Sequence, residues 1–240
     1  MAETRIQLCG RLVVRLDGRR VEEELPGRQG RLAFAYLAAH RHRPVTRDEL
    51  IDALWSEPSS SDRLSPVLSK LRAVVPIEGR GEVRLALPAD AWIDLEVASA
   101  GIHRAESAAA RGDWAGVWGP GRVAQHVASR TFVPGEEAAW IDEQRRRLDE
   151  ILVRALELVG GACIAIGGGE LDTAERTART LIARAPYRES GHRLLMKALG
   201  ARGNTAEALL VYDALRTRLR DELGAAPSAE TQQLHRRLLG

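Results

Sequence analysis

The 240 residues suffice for two modest domains or one large one, and a net charge of +2 excludes a polycation that holds nucleic acid by bulk charge alone. Cys9 and Cys163 are far apart, with no Cys-x-x-Cys spacing, which points to two reduced, buried thiols and away from a disulfide scaffold or a zinc site. The N-terminus lacks the basic start and apolar core of a signal peptide, and no apolar run approaches a membrane span, so the expected location is cytoplasmic with no membrane partner.

Arg5–Glu24 alternates as strands do, with Ile6, Leu8, Leu12, Val14 and Leu16 apolar. Gly10 and the pair Asp17-Gly18 punctuate the run, and Asp-Gly is a strong hairpin turn. A small antiparallel sheet is therefore expected ahead of the helices. Leu32, Ala33, Tyr36 and Leu37 then mark a first core helix ending near His40–Pro44. His40-x-His42 has no third or fourth ligand nearby and reads as a solvated loop pair; no metal is expected.

Thr46–Glu49 has the form of a capping box, in which the Thr46 hydroxyl accepts from the N3 amide and Glu49 reaches back to the Thr46 amide. Leu50, Ile51, Leu54 and Trp55 form the apolar side of the second helix, which Glu57–Ser61 ends. A third amphipathic run places Leu64, Leu68, Leu71 and Val75 on one side. Pro66, Ser69, Lys70 and Ala73 fall opposite, with Arg72 and Ser65 on one flank and Arg63 on the other. Proline is tolerated in the first turn but costs about 3 kcal/mol in a helix interior, so this helix is expected to start at Ser65, with Pro66 at its first position. Beyond Pro76, Glu78-Gly79-Arg80-Gly81 separates two short apolar segments as a hairpin tip would.

Two helices, a break, an exposed polar helix and a basic hairpin describe a winged helix-turn-helix, which lays one helix in the major groove of DNA. Residues 28–84 carry ten Lys/Arg against seven Asp/Glu, so binding must depend on where the arginines sit. Ser69 and Lys70 are the candidates to face the groove, Arg72 or Arg63 to contact phosphates, and Ser65 lies beside Arg72 on the flank of the same DNA-binding face. Arg47, Arg80 and Arg84 are candidate phosphate contacts. Arg31 equally suits support of the fold. Trp92-Ile93-Asp94 closes this domain, which is expected to span residues 1–95 and, without a flexible linker, to abut the next.

Residues 96–240 read as wholly helical. Ile141, Leu148, Leu152, Ala155 and Val159 line one face of a long helix that begins after Pro134-Gly135. Trp114-x-x-x-Trp118 places two rings on one helical face, expected as core. Gly167–Gly169 suits a turn, since no Gly-Lys of a phosphate loop follows. Gly169, Ala174 and Leu181 recur as Gly203, Ala208 and Leu215, each 34 positions later, the tetratricopeptide period. A final helix from about Ser228 is expected to turn Leu234, Leu238 and Leu239 inward. No nucleophile elbow or other catalytic signature is present, so neither enzymatic activity nor a cofactor is expected.

In order along the chain, Val45–Trp55 (VTRDELIDALW), Leu68–Arg72 (LSKLR), Phe132–Glu136 (FVPGE), Trp140, Arg145–Leu148 (RRRL), Ala185–Glu189 (APYRE), Leu194–Leu199 (LLMKAL), Gly203-Asn204, Ala206–Leu209 (AEAL), Glu222–Gly224 (ELG) and Pro227 resemble the Streptomyces antibiotic regulatory protein (SARP) family. The resemblance implies an OmpR-type winged helix joined to a bacterial transcriptional activator domain. It further implies an activator that binds direct repeats in double-stranded promoter DNA and contacts RNA polymerase; on the leading reading the repeat domain handles that contact or dimerisation, with a homodimer on DNA as one assembly. The chain departs from the family at Asp62–Pro66, where an Asn-Thr-Leu-like start is usual, and at Gly81–Leu85, where Glu82 replaces part of a Gly-Tyr wing. Those departures keep two other readings in view, a protein-interaction scaffold whose winged helix has lost DNA, and a sensor whose repeat domain binds a small molecule. The first motifs lie close to residue 1, so no receiver domain with a phosphoacceptor aspartate is expected ahead of them.

Overall fold

The computed structural model describes residues 3–55 and 61–240. The chain is mainly helical with small sheets, and its contacts divide it into two compact units. One comprises Met1–Ala98 with Val127–Leu148, the other Ser99–His126 with Asp149–Gly240.

In the first unit, β1 (Arg5–Gln7) pairs antiparallel with β2 (Val13–Leu16), burying Ile6 against Val14. The next strand, β3 (Arg19–Arg20), returns through Asp17-Gly18, whose φ values of 48° and 83° are the two positive angles of a type I′ turn. The sheet then takes a fourth strand that alternation did not foretell. This is β7 (Trp92–Ile93), which runs parallel to β1, with the Arg5 guanidinium 4.2 Å over the Trp92 ring. Asp94 follows at 1% exposure and accepts the amides of Leu8 (2.9 Å), Cys9 (2.7 Å) and Leu95 (2.9 Å). Burial raises its carboxyl pKa against the pull of those amides.

Three helices fill the same unit: α1 (Gly27–Ala39), α2 (Arg47–Leu54) and α3 (Ser61–Arg72). The capping box of α2 forms in full, with Glu49 N–H to Thr46 Oγ1 at 3.2 Å and Thr46 N–H to Glu49 Oε2 at 3.0 Å. The expected end of α2 at Glu57–Ser61 lies outside the described residues up to position 60. The expected start of α3 at Ser65 is corrected: the helix begins at Ser61 and encloses Pro66. Proline there forfeits the bond its amide would make to the Asp62 carbonyl and sets its ring against that same carbonyl, a cost confined to one early carbonyl of the helix. Helix α3 is therefore a turn longer at its N-terminal end than the proline implied.

A second sheet joins β4 (Val45–Thr46), β5 (Ile77–Glu78) and β6 (Glu82–Leu85) in the order β4-β6-β5, all antiparallel. The later segment of this unit adds edge pairing to the first sheet. Gly10 donates to the Thr131 carbonyl at 2.8 Å, Val133 to that of Leu8 at 2.9 Å, and Cys9 faces Phe132 across an antiparallel bridge. Arg145 caps the same segment by donating to the carbonyls of Phe132, Val133 and Glu136. Trp140 donates to the Ala53 carbonyl at 3.0 Å and meets Tyr36 and Phe132 edge-on, so the motif residues Phe132, Trp140 and Arg145 pack within this unit.

The second unit holds most of α4 (Asp94–Ala110), α5 (Trp114–Ala128) and α6 (Ala139–Ile166), followed by α7 (Glu170–Arg184), α8 (Glu189–Ala201), α9 (Thr205–Leu223) and α10 (Ala229–Leu239). The long helix buries Leu152, Ala155 and Val159 as its periodicity required. Gly167 and Gly168, both at positive φ, make the turn into α7. Of the residues 34 apart, Ala174 and Ala208 are both 0% exposed, as are Leu181 and Leu215, but Gly203 has φ +82° and Gly169 φ −63°, so the glycines do not hold equivalent conformations. Helix α10 is capped by Ser228, whose amide and hydroxyl both donate to Glu189.

Two expectations are overturned in this unit. Leu234 is buried and Leu238 partly so, but Leu239 is 63% exposed because it falls off the inward stripe in the last turn. Trp114 and Trp118 are 37% and 40% exposed, because small residues (Ala105, Ala108, Val117, Ala162) already fill the core beneath α5.

Candidate nucleic-acid interface

Helix α3 is sharply two-faced. Leu64, Leu68 and Leu71 are fully buried and Val75 just beyond is nearly so, which fixes the rotation of the helix. Arg63, Ser65, Ser69, Lys70 and Arg72 are exposed. Burial of three leucines, each stabilising by about 1.5–3 kcal/mol, leaves no freedom to turn these polar side chains inward.

The outer face is fastened at two places. Arg47, in the first turn of α2, donates to Ser65 Oγ at 2.8 Å, bridging α2 and α3. Arg72, in the last turn of α3, donates to the carbonyl of Gly79 at the hairpin tip. Gly79 has φ +86°, and a Cβ there would lie 2.0 Å from the Glu82 carbonyl oxygen, so only glycine closes this turn. Sequence reasoning assigned Arg72 to phosphate and missed this tether, since nothing in the spacing links position 72 to a carbonyl seven residues on.

Along the hairpin, Arg84 stands opposite Glu78 and forms an ion pair at 2.7 Å. Arg80 is exposed at the tip, and Lys70 makes no ion pair among the described residues. Strand pairing puts Glu82 opposite Thr46, so the acidic residue sits beside the start of α2. Of the eight candidate residues, the structure thus links Arg47 with Ser65 and ties Arg72 to the hairpin that carries Arg80 and Arg84. Arg63, Ser69 and Lys70 share the exposed side of α3 with them.

Glu49 is engaged by Arg43 at 2.8 Å and by the Thr46 amide, and these donors lower its carboxyl pKa to about 2. Of the histidine pair, expected to be solvated, His40 is half-buried, with Nδ1 2.8 Å from the Tyr36 carbonyl and its ring stacked on Tyr36, while His42 Nε2 is 2.8 Å from Glu96. Among the described residues there is no cluster of three or more metal-ligating side chains, and no helix is long and apolar enough to cross a membrane.

Residues 93–239 match the bacterial transcriptional activator domain family. Regulatory protein AfsR of Streptomyces coelicolor is 34% identical over 218 residues, covering 88% of this chain and 22% of AfsR. Transcriptional regulatory protein EmbR of Mycobacterium tuberculosis (strain H37Rv) is 29% identical over 259 residues, covering 97% of this chain and 62% of EmbR. The structure of M. tuberculosis EmbR in complex with a low affinity phosphopeptide superposes with a TM-score of 0.84 at 26% identity, over 99% of this chain and 65% of that one. The chain belongs to the bacterial transcriptional activator domain family, that of the SARP-type transcriptional regulators its sequence resembles. Its relatives are named as regulators, not as enzymes, and it spans 22% of the length of the AfsR relatives and 62% of EmbR.

Proposed function

We propose that this chain is a cytoplasmic transcription activator that binds direct repeats near promoters through a winged helix at residues 1–95. Residues 96–240 form a tetratricopeptide-like domain that contacts RNA polymerase and supports a homodimer on DNA. One observation carries the reading. Helix α3 has a fully buried apolar face and an exposed face of Arg63, Ser65, Ser69, Lys70 and Arg72, braced to α2 by Arg47 and to a basic hairpin tip by Arg72. A preformed helix held rigidly outward is what major-groove readout requires. In this arrangement Ser69 and Lys70 reach base edges, and Arg63, Arg80 and Arg47 meet phosphates. Arg84 serves through its pairing with Glu78, which stiffens the hairpin.

Mobility shift of the purified chain on fragments of its own genomic neighbourhood, across a salt series, tests this. A discrete, competitor-resistant complex is expected, and Lys70→Ala should weaken it while lowering the salt slope by about one. Ser69→Ala should relax sequence preference with the slope unchanged. Absence of any complex at low salt sinks the proposal for this chain.

A further inference from the structure

Helices α5 and α7 enclose a trough of about 280 Å³ within the second unit. Trp118, Arg122 and Gln125 present one face of α5 to it, and Glu170, Thr173, Arg176, Thr177 and Thr180 one face of α7. At 1.5 Å per residue, the α7 wall runs about 15 Å. Three features set this trough apart from the rest of the surface.

Trp118 leaves 40% of its surface in water, with only the Arg122 guanidinium, 6.0 Å from its ring centroid, over its face among the described residues. The two guanidinium groups are not neutralised. Arg122 donates to Gln125 Oε1 at 3.3 Å and Arg176 to Thr173 Oγ1 at 3.1 Å, and neither forms an ion pair among the described residues. Elsewhere on α7 the arginines are paired, Arg179 with Glu175 and Glu207, and Arg184 with Asp149. The one acid in the trough, Glu170, is turned to the buried Cys163, whose thiol lies 3.7 Å from its Oε2. Threonine hydroxyls and an amide supply the remaining polar lining. Two unneutralised guanidinium forks, a row of threonine hydroxyls along α7 and an exposed indole match a small, flat, anionic molecule.

We propose that this trough is a binding site for a small molecule with a planar ring and a phosphate or carboxylate group. The ring lies against Trp118, and the anion is held between Arg122 and Arg176 with Thr173 beside it. The volume fits a mononucleotide or an aryl carboxylate and little more. Nothing in this assignment depends on DNA binding, and its failure leaves that reading untouched.

The test is intrinsic tryptophan fluorescence of the whole chain titrated separately with adenosine monophosphate, 2-naphthoate, uncharged adenosine and inorganic phosphate. Saturable quenching by at least one of the two ring anions is expected, and which one responds distinguishes a nucleotide from an aryl acid. Adenosine and phosphate should each bind about tenfold or more weakly, because each lacks half of the match. Arg122→Gln and Arg176→Gln should each weaken the response about tenfold, with unchanged far-ultraviolet circular dichroism and melting temperature to show that both variants fold. No saturable response to either anion up to millimolar concentration overturns the proposal. So does quenching that survives both substitutions. Tighter binding of a short single-stranded oligonucleotide through the same two arginines would replace a small-molecule site with a nucleic-acid surface.

Discussion

At the scale of single residues, the best-defined electrostatic device is Glu49. Its carboxylate accepts from Arg43 and from the Thr46 amide, which lowers its pKa from 4.5 to about 2. A carboxyl whose folded pKa lies below its unfolded one stabilises the fold above the unfolded value, and that contribution is lost as pH falls through the folded value. The stability advantage of the native chain over Glu49→Gln should therefore be full at pH 7 and shrink between pH 4.5 and 2; a gap independent of pH in thermal unfolding refutes the assignment. Thr46→Ala removes the other half of the box and should cost about 1 kcal/mol in urea unfolding. Burial acts on the thiols in the opposite sense. Cys163 is pushed up to about 11, and Cys9 is raised further by burial and by Asp94. Iodoacetamide at pH 8 should modify neither until the chain is unfolded, and rapid native alkylation of Cys163 would show that the α6 to α7 region opens.

Among the elements, those specified by a local rule could be read from the sequence. Asp17-Gly18 makes its type I′ turn because both central residues tolerate positive φ, and the capping box needs only two side chains three residues apart. The spacing starts α3 at Ser65 because an interior proline is costly, yet the helix begins at Ser61 and encloses Pro66, with the buried Leu64, Leu68 and Leu71 outweighing that local cost. The two tryptophans were misread because periodicity tells which residues share a face, not whether smaller side chains have already filled the space behind it. In the candidate interface, the side of α3 that faces outward was legible and the tethers Arg47–Ser65 and Arg72–Gly79 were not, since both depend on how elements meet in space. The hairpin tip supplies the prediction at this scale. Gly79→Ala puts a Cβ into the Glu82 carbonyl and strains a residue at φ +86°, a cost of about 1–3 kcal/mol or more for that backbone conformation. The tip should shift, Arg72 should lose its acceptor, and DNA affinity should fall with helical content unchanged. Retention of full affinity by Gly79→Ala would mean the hairpin has no part in binding.

For the whole molecule, what the sequence could not convey is which distant segments complete a unit. Asp94 holds amides 85 and 86 residues away, and the segment around Phe132 pairs with the strand edge at Leu8–Gly10. Neither link leaves a local pattern, because loop length between partners costs little once they meet. A boundary near residue 95 follows naturally from motifs, yet the first compact unit takes Val127–Leu148 as well. A fragment of residues 1–95 would lose the Gly10 to Thr131 and Val133 to Leu8 hydrogen bonds, the Trp140 bond to Ala53, and fully buried Phe132. Phe132 alone is worth about 3–5 kcal/mol by the cost of truncating a buried phenylalanine, against a typical total stability of about 5–15 kcal/mol for a domain. The 1–95 fragment is thus expected to unfold at markedly lower urea than residues 1–148, and to bind DNA weakly or not at all, even though it holds every candidate contact. Phe132→Ala in the full chain should reproduce part of the loss without removing any residue near α3. If the 1–95 fragment instead matches the longer one in both urea midpoint and DNA affinity, the later segment is merely laid on a domain that was already complete.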